Sequence, residues 1–380
     1  MSQDFVTQLR LQLREAAQRE ERRAPSAQRL ARARRGLPGP APLAVALAVA
    51  LLALAVAIGV LQLHDEFQPA KPKVIETFKV SDALTSLSGG FGAGWAADPV
   101  RGEVLRIDPK SHEVTARVKL GGGEVRVATG AGAVWALYGD LLTAGAQAPV
   151  VVARIDPRTN RVVARIPARS PQGKNFAPLS LRADRHHVWI IGAQGAMRID
   201  PATNAGDRFV AYGFASRPRK GGRPEPARPP AVPVAGAVAE GERVWVLATD
   251  GRLLALDART GRTVDEDQLR AADSHLVLGD SGTLALVDAD RISVIERTSG
   301  RRLWSVPLGG TVRALFPAGD SVWAVVSRDA DGGHRLVRLD ADDGRRTGRL
   351  TPREPDAVGL ARVAGAVWIA SPGGAITVVR

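Results

Sequence analysis

An all-β fold, a seven-bladed β-propeller preceded by a cytoplasmic tail and one transmembrane helix, is what this 380-residue sequence predicts. Three observations predict it. A tryptophan-centred unit recurs along the chain, each unit continues into a strand that ends in an acid and a turn, and an uncharged apolar stretch precedes the first unit.

The recurrence is the strongest of the three. Trp95, Trp135, Trp189, Trp245, Trp323 and Trp368 each follow a Gly-rich or polar turn, five of the six directly after valine. The segment 279–287 (GDSGTLALV) reads as the same unit with Thr283 in the tryptophan position, which makes seven units. Each continues into a strand closed by an acid, as in LRIDP (105–109), ARIDP (153–157), MRIDP (197–201), LALDA (254–258), SVIER (293–297) and VRLDA (337–341). A turn and another strand follow, for example VTARVKL (114–120), VVARIPA (162–168), RFVAYGF (208–214) and RLWSVPL (302–308). Short alternating runs of β-branched and polar residues are strands, and four of them per repeat make one propeller blade.

The last unit stops at AITVVR (375–380) without an outer strand, while VIETFKV (74–80) has a strand's pattern and no unit of its own. The N-terminal strand is therefore expected to complete the last blade and close the ring, leaving no open sheet edge.

Residues 43–63 carry no charge, and 21 residues of helix rise about 31 Å, enough to cross a bilayer core. Residues 1–42 hold nine arginines against four acids, and Asp65 and Glu66 open the opposite flank. The positive-inside rule then places the tail in the cytoplasm and the propeller outside. The resulting division is a basic tail over 1–42, a signal anchor over 43–63, a linker over 64–73 and the propeller over 74–380. Within the tail, Phe5, Leu9, Leu13 and Ala16 or Ala17 fall at helical spacing, so it is either a short amphipathic helix for a cytoplasmic partner or the inner leaflet, or a solvated topogenic tail.

The absence of cysteine excludes disulfides, thiolate nucleophiles, iron–sulfur clusters and cysteine-ligated zinc. The net charge of +13 raises nucleic acid as a partner, but a propeller outside the membrane does not meet it.

ALDARTG (255–261) with its downstream strand, and ERTSGRRLW (296–304), resemble the repeats of PQQ-type propellers. The pairing of VW with RIDPxT resembles the YVTN and streptogramin-lyase-like propellers common in actinobacteria. The resemblance covers 74–380 and implies the fold; such repeats host enzymes, scaffolds and sensors alike. For the lyase-like branch it implies His and Glu around a metal, yet only His275 falls on an expected innermost strand. For quinoproteins it implies a vicinal cysteine pair, which this chain cannot supply.

The repeated acids Asp108, Asp156, Asp200, Asp257, Glu296 and Asp340 fall at equivalent places in different blades, so a ring spreads them apart; they read as turn formers. GGFGAG (89–94) leads into a strand and not a helix, so it is no dinucleotide loop. No cofactor, metal or catalytic set is expected, and the leaning is away from an enzyme.

What remains are two groups of cations. The segment 216–233 holds six prolines and five basic residues, Arg217, Arg219, Lys220, Arg223 and Arg228, against one acid. It is a candidate arm for an anionic envelope polymer, lipid or protein, or else a tolerated insertion. Arg126, Arg182, Arg313 and Arg362 fall on expected innermost strands, at differing parities relative to the tryptophans. The function expected is non-enzymatic binding or sensing outside the cytoplasm. A transmembrane regulator with a partner on 1–42, and a lyase- or quinoprotein-like enzyme, are the alternatives.

Overall fold

The computed structural model describes residues 72–141, 150–169, 178–212, 234–268, 274–278, 283–288, 290–296, 301–327, 334–350 and 357–380. The tail 1–42, the predicted span 43–63 and the basic segment 216–233 lie outside these residues. No helix among the described residues is long and apolar enough to cross a membrane.

Among the described residues, twenty-eight strands form seven four-stranded antiparallel sheets. After β1 (Val74–Lys79), the first blade is β2 (Ser86–Gly90), β3 (Ala93–Asp98), β4 (Glu103–Ile107) and β5 (Val114–Lys119). The second is β6 (Glu124–Gly130), β7 (Ala133–Gly139), β8 (Val151–Asp156) and β9 (Arg161–Pro167). The third is β10 (Pro178–Ala183), β11 (Val188–Gly192), β12 (Gly195–Asp200) and β13 (Ala205–Ala211). The fourth is β14 (Val234–Glu240), β15 (Arg243–Ala248), β16 (Arg252–Asp257) and β17 (Thr263–Gln268). The fifth is β18 (Ser274–Leu278), β19 (Thr283–Asp288), β20 (Arg291–Glu296) and β21 (Arg302–Pro307). The sixth is β22 (Val312–Ala318), β23 (Ser321–Ser327), β24 (His334–Asp340) and β25 (Arg346–Leu350). The seventh contains β26 (Gly359–Val363), β27 (Ala366–Ala370) and β28 (Ala375–Val379), with β1 as its outer strand.

The pairing of β1 with β28 runs from Val74↔Val379 to Lys79↔Ala375. It is extended by a reciprocal backbone pair, Lys73 N–H to the Arg380 carbonyl at 2.7 Å and Arg380 N–H to the Lys73 carbonyl at 3.0 Å. The first strands of successive blades touch one another around the full circle, from β2 through β6, β10, β14, β18, β22 and β26 back to β2. They are the innermost strands, and residues Pro69–Arg380 form one compact unit.

Each seam between blades is an apolar cluster of its own, and six of the seven are built around a tryptophan of the second strand. Trp95, Trp135, Trp189, Trp245, Trp323 and Trp368 are 0–4 % exposed. Each packs against the following blade: Trp95 against Val125 and Val127, for example, and Trp368 against Leu87 and Leu105 across the closing seam. One large ring per repeat fills the wedge that opens between two radiating sheets.

The fifth blade departs from the expected pattern. In the first four blades and the sixth the tryptophan pairs with the residue two before the acid, as Trp95 does with Arg106 and Trp323 with Arg338. In the fifth that partner is Val294, opposite Ala285, while Thr283 pairs with Glu296 itself. Ala285 and not Thr283 therefore holds the tryptophan position, because strand register and not the preceding turn sets it. The missing bulk comes from Trp304 on outer strand β21, which joins Ala285 in the cluster against the sixth blade and donates its indole N–H to the Ala341 carbonyl at 2.9 Å. A second correction concerns β13, expected over 208–214. Asn204, at φ 57°, closes the preceding turn, so the strand begins at Ala205.

The Gly-rich stretch 89–94 serves close packing. A Cβ at Gly89 would lie 2.0 Å from the Arg362 carbonyl oxygen, and one at Gly94 would lie 2.6 Å from the Trp368 ring. These positions let the first blade approach the seventh. Between them, Phe91 and Gly92 both take positive φ, the hairpin conformation that matches strand twist.

Candidate binding face

Antiparallel strands sort the connections onto two faces. First-to-second and third-to-fourth strand turns emerge on one; second-to-third hairpins and blade-to-blade crossovers emerge on the other. The first face is locked by repeated turn chemistry. Asp108 Oδ1 accepts the N–H groups of Lys110 and Ser111, Asp257 Oδ1 those of Arg259 and Thr260, and Asp200 Oδ1 that of Ala202. Backbone N–H groups of Ser111 and Lys110 hold the Asp108 carboxyl below its ordinary range, as does that of Arg158 at Asp156 and that of Ala202 at Asp200; at Asp257 the Thr260 hydroxyl leads. The turns exit through left-handed residues, His112, Asn160, Asn204, Gly261 and Gly344. Asp108, Asp156, Asp200, Asp257 and Asp340 are thus turn formers, one in each of five blades.

Residues that the sequence reading left without a role tie these turns together. Arg106 lies over Trp95 at 5.5 Å and donates from Nη1 to the Pro157 carbonyl at 2.9 Å and to Asn160 Oδ1 at 3.1 Å, both in the next blade. Arg154 repeats this over Trp135 at 5.3 Å, reaching the Pro201 carbonyl at 2.6 Å and Asn204 Oδ1 at 2.8 Å. A bulge beside each arginine, at Arg106/Ile107 and Arg154/Ile155, bends the strand where the side chain leaves for its neighbour. The recurrence of Arg two residues before the acid, opposite tryptophan, was visible in RIDP and was the missed signal.

The crossover face carries the variable lengths. The strand ends that bracket 140–150, 168–177, 212–233, 328–333 and 351–358 all open onto it, as do those that bracket the short connections 120–123 and 308–311. The five predicted contacts Arg217, Arg219, Lys220, Arg223 and Arg228 lie outside the described residues; the strands that bracket them, β13 and β14, both open onto this face.

The four arginines of the innermost strands do not share one site. Arg126 faces Glu124, with Nη2 to Oε2 at 3.4 Å, and Arg313 donates from Nε to Ser327 Oγ at 3.3 Å. Arg362 lies over the turn at Gly319 in the sixth blade. Arg182 pairs in register with Trp189 and faces the fourth blade. The alternating parity noted in the sequence sends Arg126 and Arg182 toward the following blade and Arg362 toward the preceding one.

The described histidines are scattered. His112 stacks on Phe78 at 4.5 Å and meets Glu76 at 3.0 Å, bracing the closing strand. His187 lies between Asp184 at 3.3 Å and Glu242 at 3.5 Å on the turn face. His275 falls on innermost strand β18 and His334 opens β24. Among the described residues, no three His, Asp or Glu side chains are grouped to hold a metal ion.

A family model described as outer membrane protein assembly factor BamB matches residues 249–379, from the fourth blade to the seventh. No curated protein matches the chain. Among solved structures, the β-propeller domain of Myceliophteria thermophila Cps50 (Swd1) is 14% identical, with 81% of this chain and 99% of that one covered at a TM-score of 0.60. A chain of the mitotic checkpoint complex is 13% identical, with 81% and 91% covered at a TM-score of 0.58. At such identities the likeness is one of fold, and the fold is the seven-bladed propeller with a PQQ-like repeat.

Proposed function

We propose that this chain is a membrane-tethered propeller, held outside the cytoplasm, that binds a protein or anionic envelope polymer across its crossover face and performs no chemistry of its own. One observation carries the choice of face: among the described residues the turn face is spent on short, internally satisfied turns, and the strand ends that bracket the long connections all open on the opposite side. The basic composition of 216–233 argues for an anionic ligand there. The family model that matches 249–379 is named for an assembly factor, which favours a protein-binding role over catalysis.

Two experiments test the proposal. A reporter active only outside the cytoplasm, fused after residue 380, should work where a cytoplasm-only reporter fails; the reverse result removes the topology. Replacing 216–233 with a short Gly-Ser turn should leave the melting temperature nearly unchanged, because loop closure depends weakly on length. The same change should abolish salt-sensitive binding to anionic envelope extracts, since exposed charges are screened over about 8 Å at physiological salt. Undiminished binding would remove the arm from the proposal.

A further inference from the structure

The innermost strand of the third blade holds a cation that nothing among the described residues balances. Arg182 is only partly exposed, and burial pushes its guanidinium down from its ordinary value with no carboxylate or hydrogen bond among the described residues offsetting it. The carboxylate two residues along, Asp184, is committed elsewhere: Oδ1 accepts the N–H groups of His186 and His187, and Oδ2 accepts that of Gly241.

A second donor without an acceptor stands on the same face of the same sheet. Trp189, the cross-strand partner of Arg182, is 1 % exposed, and its indole Nε1–H is buried with no hydrogen-bond partner. In the first two blades the equivalent indoles donate to the carbonyl five residues earlier, Trp95 to Gly90 at 3.1 Å and Trp135 to Gly130 at 3.0 Å. In the third blade that carbonyl belongs to Asp184 and is taken by the Ala131 N–H at 2.7 Å. Opposite, β14 contributes Ala237 and Ala239, which pack in the same apolar cluster as Trp189. These small apolar side chains offer the guanidinium no acceptor.

We propose that Arg182 and the Trp189 indole N–H form an oxyanion site on the inner wall of the ring, between the third and fourth blades, which takes a small carboxylate- or phosphate-bearing ligand. A guanidinium presents a planar fork that matches either group, and the indole adds a third donor. The apolar wall strengthens the attraction by excluding water from one side. The site is independent of which side of the membrane the ring faces and of the arm at 216–233.

The test uses the full-length chain with two probes, inorganic phosphate and acetate, read by tryptophan fluorescence and thermal shift. Saturable binding of either probe is expected, and which one binds distinguishes phosphate from carboxylate. Arg182→Gln should weaken it by roughly tenfold or more, with Arg182→Lys falling between and Trp189→Phe weakening it less. Arg158→Gln, on a side chain 91% exposed on the turn face, should leave it unchanged. Without ligand, Arg182→Met should raise the melting temperature, because it removes an unbalanced, desolvated charge; a purely structural arginine would give a fall. No saturable binding of either probe, equal weakening by Arg182→Gln and Arg158→Gln, or a lower melting temperature for Arg182→Met each overturns the site.

Discussion

Replacing Arg154 by alanine removes three contacts at once: hydrogen bonds to the Pro201 carbonyl at 2.6 Å and to Asn204 Oδ1 at 2.8 Å, and the guanidinium over Trp135 at 5.3 Å. A hydrogen bond from a charged donor is worth about 1.5–3 kcal/mol, and a cation over an indole about 0.5–1 kcal/mol at a site open to solvent. Both acceptors remain partly exposed, so water recovers a share of the loss. The expected destabilisation is about 2–4 kcal/mol, large for a half-buried residue. Arg154→Lys keeps the charge and loses the fork, and should fall between. The informative quantity is the coupling in a double-mutant cycle with Asn204→Ala, expected at about 1–2 kcal/mol. Arg154→Ala combined with Arg338→Ala, in the second and sixth blades with no shared partner, should be additive to within about 0.5 kcal/mol. Urea denaturation followed by tryptophan fluorescence supplies all of these values. Coupling to Asn204 no larger than that to Arg338 would refute the idea that this arginine clamps one blade to the next.

Gly94→Ala should cost about 2 kcal/mol or more, since its Cβ would lie 2.6 Å from the Trp368 ring; Gly92→Ala, with open space but φ at 72°, should cost about 1 kcal/mol, and urea midpoints rank the two. Deleting 74–79 uncovers the β28 edge and removes the Phe78 ring stacked on His112, so the truncated chain should melt well below the full one; equal melting would count against ring closure by β1. Burial alone would raise the Asp98 carboxyl, but the Ser81 hydroxyl and the N–H and guanidinium of Arg101 outweigh it and hold it below its ordinary value. A depressed carboxyl contributes stability that is present above its unfolded value near ~3.9 and is lost as pH falls through the folded one. Asp98→Asn should therefore lower stability at neutral pH and flatten the acid limb of a melting-temperature profile.

The repeat itself was decided by local sequence. Most blades carry a large residue on the second strand and a turn after the third, and both are supplied by nearby residues in fixed order, so VW and RIDP could be recognised without knowing what they touch. The turn roles of Asp108, Asp156 and Asp200 were legible for the same reason, because an Asx turn closes within a few residues. The fifth blade was not. Thr283 follows the right kind of turn, but only the pairing with β20 places Ala285 in the tryptophan position and hands the volume to Trp304 two strands away. The clamp from Arg154 to Asn204 and the isolation of Arg182 belong to the same class. Their partners, or the lack of them, come from a neighbouring blade some fifty residues distant, and a composition or a period carries no information about what packing brings to a side chain's end.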